Sequence, residues 1–322
     1  MPLPVVWHRA YEVEIGPHVF PTQKYRLVRD RLLAEGTISD LDLVEPAPAS
    51  DEDVALVHTA DYLHKIKTGT LTREDELVLE VPFSLALREA AWICAGGATL
   101  AGRLALGPER GIAVHLGGGF HHAFPDHGEG FCLINDVAIA IRALQGEGLI
   151  RRAAVVDLDV HHGNGTAAIF HGDPDVFTFS MYQEHNYPAW KPPSDLDIGL
   201  DDGTGDAEYL ALLEQHLPAI LARHRPDLVF YLAGADPYRS DQLGGLGLTL
   251  EGLRRRDELV FERATSAGVA VAVCLAGGYA LRTDDTVEIH CNTVRAAKKA
   301  AVTSPETSPT WRPAGRSPGR SE

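Results

Sequence analysis

The stretch AAVVDLDVHHGNG, residues 153–165, begins as an apolar run rich in β-branched residues and ends in a turn that holds aspartates, histidines and glycines. A short apolar run bounded by turn residues is typical of a buried strand. In open parallel α/β sheets, ligands bind outside the carboxyl ends of the strands. The polar residues that follow this run therefore stand where such a sheet places a functional site.

Three other stretches repeat this arrangement. They are GIAVHLGGGFHH (111–122), LVFYLAGADP (228–237) and VAVAVCLAGGY (269–279), and LPVVW (3–7) and VFTFSM (176–181) are two further strand candidates. Four segments between the apolar runs have apolar residues at helical spacing, namely residues 84–105, 135–148, 207–224 and 249–268. Apolar strands alternating with amphipathic helices predict an α/β fold with a mostly parallel sheet covered by helices on both faces.

The chain has 322 residues, 45% of them hydrophobic, and a formal net charge of -16. We predict a single catalytic domain over residues 1–302 and a disordered tail rich in Pro, Ser and Thr over residues 303–322. The negative charge disfavours nucleic acid and suits cationic partners, although solubility alone explains it equally well. The four cysteines are widely spaced and are interpreted as reduced core residues. The sequence has no segment with the pattern of a leader peptide or a membrane-spanning helix, so we expect a cytoplasmic protein without membrane association. It does not predict an oligomeric state.

A metal site is predicted at the end of the first stretch. Side chains at alternate strand positions share a face, so Asp157, Asp159 and His161 point the same way. Asp159 and His161 offer the carboxylate and imidazole ligands typical of catalytic zinc, which takes three protein ligands and keeps one position open for water. Asp236 follows another apolar run. Taken alone it is better explained as a turn residue before Pro237, but beside the other two it is the natural third ligand.

A pair of histidines follows the glycine run at residues 117–119, which lets the backbone approach a ligand closely. Such a pair is more often a surface feature, but His121 and His122 have polar partners available. Asp157 is suited to fix the tautomer of one ring and raise its basicity, and Asn164 is suited to serve the other. Because an amide is neutral, the histidine paired with Asn164 should be the easier one to deprotonate and the better general base.

Tyr279 follows two glycines at the end of the last apolar run. A phenol at this position can donate a hydrogen bond to a carbonyl oxygen that also touches the metal and so stabilise the developing oxyanion. The alternative is a tyrosine that caps the core with its hydroxyl in water, and taken alone this alternative is the better explanation.

Together, these pieces resemble the zinc-dependent histone deacetylase superfamily over roughly residues 5–300. The resemblance rests on GGGFHHAFPDHGEGFCLIND, VVDLDVHHGNG, AGADP, DQLGGLGLT, RRRDELVF and AGGY, which occur in the order and spacing of the family. It is closest to the class IV branch and its bacterial-type members, because of MYQEHNYP (181–188), GGLGLTLEGLRRRDELVF (244–261) and Asn164, where the class I branch tends to have aspartate. It implies a three-layer, arginase/deacetylase-like fold and hydrolysis of acyl groups, acetyl or longer, from lysine side chains or small amines.

The resemblance also implies residue roles. Zinc would be bound by Asp159, His161 and Asp236, although iron or another divalent metal stays open. His122 would be general base and acid, His121 its electrostatic partner, with Asp157 and Asn164 behind the rings, and Tyr279 would polarise the carbonyl. The implied substrate-binding residues are Gly130, Phe131, Tyr187, Gly277 and Gly278. A structural monovalent cation, K⁺ or Na⁺, would be held by Asp157, Asp159, His161 and Ser180. A second such cation would be bound by backbone carbonyls around Phe170, Asp173 and Val176. Lys24 would lie near the floor of the site.

Several alternatives remain. A binuclear manganese hydrolase of the arginase type needs further bridging aspartates, and Asn164 argues against it. Hydrolysis of acetylpolyamines or other small acylated amines shares the same chemistry, and a catalytically silent acyl-lysine reader would use the same scaffold. Asp126, His127 and Glu129, near the predicted mouth, favour a cationic substrate, but a solvated rim explains them equally well.

Overall fold

The protein is described by a computed structural model that covers residues 3–107 and 111–303. Within these residues eight strands are present: β1 Val5–Val6, β2 Leu43–Val44, β3 Ile112–His115, β4 Ala153–Asp157, β5 Val176–Gln183, β6 Leu196–Leu200, β7 Leu228–Leu232 and β8 Ala270–Cys274. They form one sheet in the order β2-β1-β3-β8-β7-β4-β5-β6. Every neighbouring pair is parallel.

Ten α-helices connect and cover the strands in the same part of the chain: α1 Lys24–Ala34, α2 Asp51–Val54, α3 Ala60–Thr68, α4 Arg73–Leu79, α5 Leu85–Ala105, α6 Asp136–Gly146, α7 Asn164–Phe170, α8 Asp206–His224, α9 Leu250–Ser266 and α10 Thr283–Thr303. Several begin at a side chain that caps the first turn. Asn135, for example, accepts a 3.0 Å hydrogen bond from the backbone N–H of Ala138 at the start of α6.

The core has two faces because side chains alternate along each strand. On β7, Leu228, Phe230 and Leu232 pack in a cluster with residues of α5 and α6, whereas Val229 and Tyr231 pack in the cluster on the opposite face with residues of α1, α8, α9 and α10. The sheet is therefore buried between two helical layers, as the continuous apolar runs predict. This confirms the predicted three-layer α/β architecture.

All six predicted strands and all four predicted helices are present. The two strands that the apolar-run pattern missed, β2 and β6, lie at the two edges of the sheet. β6, with the sequence LDIGL, is largely half-exposed, so it lacks a continuous apolar run. The predicted tail, residues 303–322, lies outside the described residues except for Thr303, which ends α10. No helix in the described part of the chain has the length and hydropathy to cross a bilayer.

Candidate metal centre and catalytic pocket

The four polar turns converge because their strands are neighbours. β3, β8, β7 and β4 stand side by side in the middle of the sheet. Since all of them are parallel, their carboxyl ends meet at one edge. The resulting pocket is lined by residues from the turns after β3, β4 and β8 and from the loop before α6, including His121, His122, Asp159, Gly277 and Tyr279.

Asp159, His161 and Asp236 form a cluster in which one donor atom from each residue lies within 4.8 Å of the others. His161 Nδ1 is 3.0 Å from Asp159 Oδ1 and 3.6 Å from Asp236 Oδ2. The backbone holds the carboxylates in place, since Val160 N–H donates to Asp236 Oδ1 and Gly277 N–H donates to Asp159 Oδ2, each at 2.9 Å. The other two carboxylate oxygens, Asp159 Oδ1 and Asp236 Oδ2, therefore face His161 Nδ1.

The cluster fits a divalent cation. Asp236 Oδ2 is buried and has no hydrogen-bond partner among the described residues, which is costly for a carboxylate unless a cation completes it. Burial alone would lower the pKa of His161, but Asp159 and Asp236 more than offset this and raise it to about 10. The three groups therefore stabilise positive charge at a common point. Gly277 matters for space, because a Cβ there would collide with both carboxylates.

The two histidine rings have different partners. His121 Nδ1 donates to Asp157 Oδ2 at 2.6 Å, and His122 Nδ1 lies 2.7 Å from Asn164 Oδ1. Burial would lower the pKa of His121, but the charges of Asp157 and Asp159 raise it to about 9. Burial, and then the positive charges of His121 and His161, hold the pKa of His122 well below its ordinary value. The surroundings therefore favour a protonated His121 ring and a neutral His122 ring.

Glu129 is more buried than a rim residue, with its side chain 17% exposed. Its Oε1 accepts hydrogen bonds from Asn164 Nδ2 at 2.7 Å and from the Tyr187 hydroxyl at 2.9 Å. From the sequence, Glu129 is predicted only as one of the charges near the mouth. Its neighbour Asp126 does lie at the rim, where its side chain is 70% exposed and contacts His127.

The predicted substrate wall is assembled around His122. Gly130 has φ +51°, and a Cβ there would lie 2.8 Å from His122 Cδ2 and 2.9 Å from a ring carbon of Tyr187. The Tyr187 and His122 rings are in edge-to-face contact, with centroids 5.0 Å apart. Gly130 and Phe131 line the same pocket as the histidines. The predicted wall residues therefore lie together next to His122.

Tyr279 is buried beside the cluster, with its ring centroid 6.4 Å from that of His161. Burial, followed by the charges of Asp159 and Asp236, raises the pKa of its hydroxyl well above the ordinary value, so the phenol keeps its proton. Its backbone N–H donates to Asp241 Oδ2 at 2.7 Å. Asp241, in the DQLGG motif, thus positions the loop that presents Tyr279.

Two buried cations, Lys24 and Arg256, lie behind the carboxylates. The resemblance placed Lys24 near the floor of the site, whereas Arg256 was not predicted from the sequence. Lys24, the first residue of α1, is fully buried and donates to the carbonyl of Ala276 at 2.7 Å, near the floor of the pocket. Burial lowers the pKa of Lys24 to about 8 although Asp236 and Asp159 oppose that shift. Arg256, on α9, is the other buried cation. It belongs to the RRRDELVF motif, and its spacing from Leu253 and Val260 places it on the buried face of α9.

The predicted monovalent-cation residues fall into two places. Asp157 and Ser180 are register partners on β4 and β5, beside the metal cluster, and Ser180 Oγ is buried without a partner among the described residues. Phe170, Asp173 and Val176 instead form a turn between α7 and the start of β5, where Asp173 N–H donates to Phe170 O at 2.9 Å. That turn is at the amino end of the sheet, away from the catalytic edge.

A second group of possible metal donors, His115, Asp136 and Cys274, lies below the glycine run. Its members already have structural partners. Asp136 accepts backbone hydrogen bonds from Gly119 and Phe120, and His115 Nε2 pairs with the hydroxyl of Tyr11 at 2.8 Å. The group therefore supports the turn that holds the histidine pair.

The chain is similar to known proteins over most of its length. A histone deacetylase domain model matches residues 18–294. The chain is 44% identical over 299 residues to an uncharacterised protein of Picosynechococcus, covering 92% of this chain and 99% of that one. It is 33% identical to histone deacetylase 2 of Arabidopsis thaliana (85% and 74% covered) and 33% identical to a histone deacetylase-like amidohydrolase of Pseudomonas aeruginosa (81% and 72% covered).

The fold is similar to that of a solved structure as well. The crystal structure of the HDA15 HD domain superposes with a TM-score of 0.76 at 22% sequence identity, covering 91% of this chain and 90% of that one. At this level of identity the likeness concerns the architecture.

Proposed function

The chain belongs to the histone deacetylase family, as its motifs predicted, and from that premise we propose that it is a zinc-dependent hydrolase that removes acyl groups from lysine side chains of proteins. The observation that carries the proposal is that Asp159, a member of the Asp159–His161–Asp236 cluster, lines the same pocket as the histidine pair and Tyr279. Two carboxylates and one imidazole are a ligand set for catalytic zinc. The family membership itself makes the chain a hydrolase of the deacetylase type.

Asp159, His161 and Asp236 would hold the zinc ion. When bound, zinc polarises a carbonyl oxygen and lowers the pKa of a water molecule, which is the chemistry that amide hydrolysis needs. The wall formed by Gly130, Phe131 and Tyr187 would orient the acyl-lysine side chain and exclude bulk water.

His122 moves the proton. Its Nε2 accepts a proton from the attacking water and returns it to the departing amine nitrogen, so one ring serves as base and then as acid. His121, held as a cation by Asp157, keeps a second positive charge next to this nitrogen. The Tyr279 hydroxyl donates a hydrogen bond to the oxygen on which negative charge develops. The products are a free amine and a carboxylate.

A structural K⁺ or Na⁺ ion is part of the proposal. The unpartnered Ser180 Oγ beside Asp157 supports such an ion next to the zinc ligands. The turn at Phe170, Asp173 and Val176 is the proposed second position. Each would stiffen the connection between β4 and β5 rather than take part in the reaction.

The experiment that tests the function is a panel of acyl-lysine peptides of graded chain length, assayed with the full chain before and after chelation and zinc reloading. N-acetylputrescine in the same panel represents small acylated amines. Turnover of the peptides that is lost with chelator and restored by zinc is expected. Turnover of the small amine alone, or silence on every substrate with zinc bound, would contradict the proposal.

A further inference from the structure

Glu129 is connected to the general base through one intervening side chain. We infer that Glu129 is a positioning residue, which fixes the proton of His122 on Nδ1 by fixing the orientation of the Asn164 amide. The inference rests on the proposed function, because it assigns a role within the same pocket. It concerns a residue of this chain that does not touch the metal cluster in the structure.

The backbone presents Glu129 rigidly. Glu129 N–H donates to the carbonyl of Cys132 at 3.1 Å, and Cys132 N–H donates back to Glu129 O at 2.9 Å. Between them, Gly130 and Phe131 have φ +51° and +71°, as in a tight turn with positive φ at both central positions. Phe131 N–H also donates to Leu79 O at 2.8 Å, at the end of α4. The side chain is 17% exposed, so it extends inward from a fixed turn.

The carboxylate decides how Asn164 is oriented. An ionised carboxylate only accepts hydrogen bonds, so the atom of Asn164 that lies 2.7 Å from Glu129 Oε1 must be the amide nitrogen. The amide oxygen then has to face the other way, towards His122 Nδ1, 2.7 Å away. Asn164 is 1% exposed, so no bulk water is available to satisfy the opposite orientation.

The orientation of Asn164 decides the tautomer of His122. An amide oxygen only accepts, so His122 Nδ1 must donate, and the neutral ring then has its lone pair on Nε2. His122 Nε2 faces His121 Nε2 at 3.1 Å, on the side of the pocket. Because His121 is protonated on both nitrogens, its Nε2–H donates towards His122 Nε2 and favours the same tautomer. Without Glu129, the Asn164 amide could turn over and place its NH₂ group against Nδ1, which would oppose that tautomer and weaken the base.

The same carboxylate oxygen also fixes the substrate wall, because Glu129 Oε1 accepts from the Tyr187 hydroxyl at 2.9 Å. Tyr187 in turn contacts the His122 ring. One oxygen atom therefore sets both the wall and the proton position of the base that the wall adjoins.

The alternative is that Glu129 acts only through its charge, as an acid at the mouth that attracts a cationic substrate. Three variants separate the two roles. Glu129→Gln removes the charge but keeps an oxygen that can accept from Asn164 and Tyr187. Glu129→Ala removes the acceptor. Asp126→Asn removes a charge from the rim and leaves the Glu129–Asn164 contact in place; Asp126 contacts His127, whose other ring nitrogen lies 3.5 Å from Glu129 Oε2.

If Glu129 is a positioning residue, kcat of Glu129→Ala should fall by about 10- to 100-fold, which is the usual effect of removing the hydrogen-bond partner behind an active-site group. The kcat of Glu129→Gln should stay within a few-fold of that of the unchanged protein. Asp126→Asn keeps the kcat of the unchanged protein. Equal losses in Glu129→Gln and Glu129→Ala, seen mainly as a higher KM and shared by Asp126→Asn, would overturn the inference in favour of rim charge.

The tautomer is read directly by long-range ¹H–¹⁵N correlation spectra of the ¹⁵N-histidine-labelled, zinc-loaded full chain, with His122 assigned by a His122→Gln variant. The expected result is a protonated Nδ1 in the unchanged protein and in Glu129→Gln, and a shift of the proton towards Nε2 in Glu129→Ala. A ring with its proton on Nε2 in the unchanged protein, or identical spectra for all three, would overturn the inference. Because this readout needs no substrate, it separates failure of the inference from failure of the proposed function.

Discussion

Arg256 donates a 2.6 Å hydrogen bond to the carbonyl oxygen of Gly234, two residues before the predicted ligand Asp236. The same Nη1 atom reaches the carbonyl of Leu158, the residue before Asp159, at 3.3 Å. One fully buried guanidinium therefore ties together the two strand ends that present the carboxylates. Its position links the stability of the fold to the geometry of the metal centre.

Arg256→Met should destabilise the protein strongly. The substitution leaves the buried carboxylate of Asp257 with the hydroxyls of Tyr231 and Thr293 but without its counter-charge. Removing one partner of a buried ion pair costs about 3–5 kcal/mol, measured here as the free energy of unfolding in urea. Arg255→Met is the matched control, because Arg255 is 60% exposed and its pair with Glu258 should contribute less than about 1 kcal/mol. Equal stability of the two variants would contradict the assigned role of Arg256.

Tyr279→Phe should keep the metal and lose turnover. The phenol is expected to donate one hydrogen bond to the developing oxyanion, and removing one such donor costs about 100-fold or more in kcat. Zinc content and the unfolding midpoint should stay close to those of the unchanged protein, since the structure shows no metal-cluster contact made by the hydroxyl. A kcat within a few-fold of normal would show that another group stabilises the oxyanion.

Gly130→Ala should disrupt the catalytic pocket by collision. A Cβ at this position meets His122 Cδ2 at 2.8 Å and the Tyr187 hydroxyl at 3.0 Å. Gly148→Ala is a suitable control because Gly148 also has positive φ, +70°, but a Cβ there meets nothing within 4 Å. Both variants should lose about 1 kcal/mol of stability from backbone strain, whereas only Gly130→Ala should lose deacylase activity. Similar activities of the two would argue against contact between Gly130 and the base.

The pH dependence of stability should report the buried histidine His58. Burial lowers its pKa to about 4, while its Nε2 accepts a hydrogen bond from Asn135 N–H. Because the folded pKa lies below the unfolded value of about 6.5, the unfolded chain binds more protons in this range, and stability is lost as pH falls from about 6.5 towards 4. Between pH 7.5 and pH 5.5 this costs about 1.4 kcal/mol.

The measurement compares urea unfolding of the unchanged protein and His58→Gln at both pH values. The raised pKa of His121 changes the free energy of unfolding in the opposite direction as pH falls. The effect of His58 is therefore read from the difference between the two proteins rather than from the pH dependence of either protein alone. The variant should lose about 1.4 kcal/mol less than the unchanged protein on acidification. Parallel changes in the two proteins would contradict a neutral, buried His58.

The sequence predicted the central sheet well because its strands are buried on both faces and appear as uninterrupted apolar runs. The sequence also predicted that the residues of the metal cluster lie close together, because each follows an apolar run and parallel strands end at one edge of the sheet. The edge strands β2 and β6 lack that pattern. Helix α10, which was not among the predicted helices, has a buried face that includes Val287, Cys291 and Val294 at helical spacing.

Contacts between residues distant in sequence were harder to predict. Glu129 and Asn164 are 35 positions apart and meet only because the turn after Gly128 folds back over the start of α7. Arg256 lies three residues after Leu253 and four before Val260, so helical spacing places it on the apolar face of α9, but the sequence does not show which carbonyl groups it reaches. The partners of both residues depend on how loops and strand ends pack in three dimensions, which periodicity does not describe.

Metal analysis of the purified full chain tests the proposed centre most directly, carried out together with Asp159→Ala and Asp236→Ala. One zinc ion per chain is expected in the unchanged protein, and it should be lost in both variants while their far-UV circular dichroism spectra stay the same. Two tightly bound ions per unchanged chain, or full zinc retention in both variants, would contradict a single ion held by Asp159, His161 and Asp236.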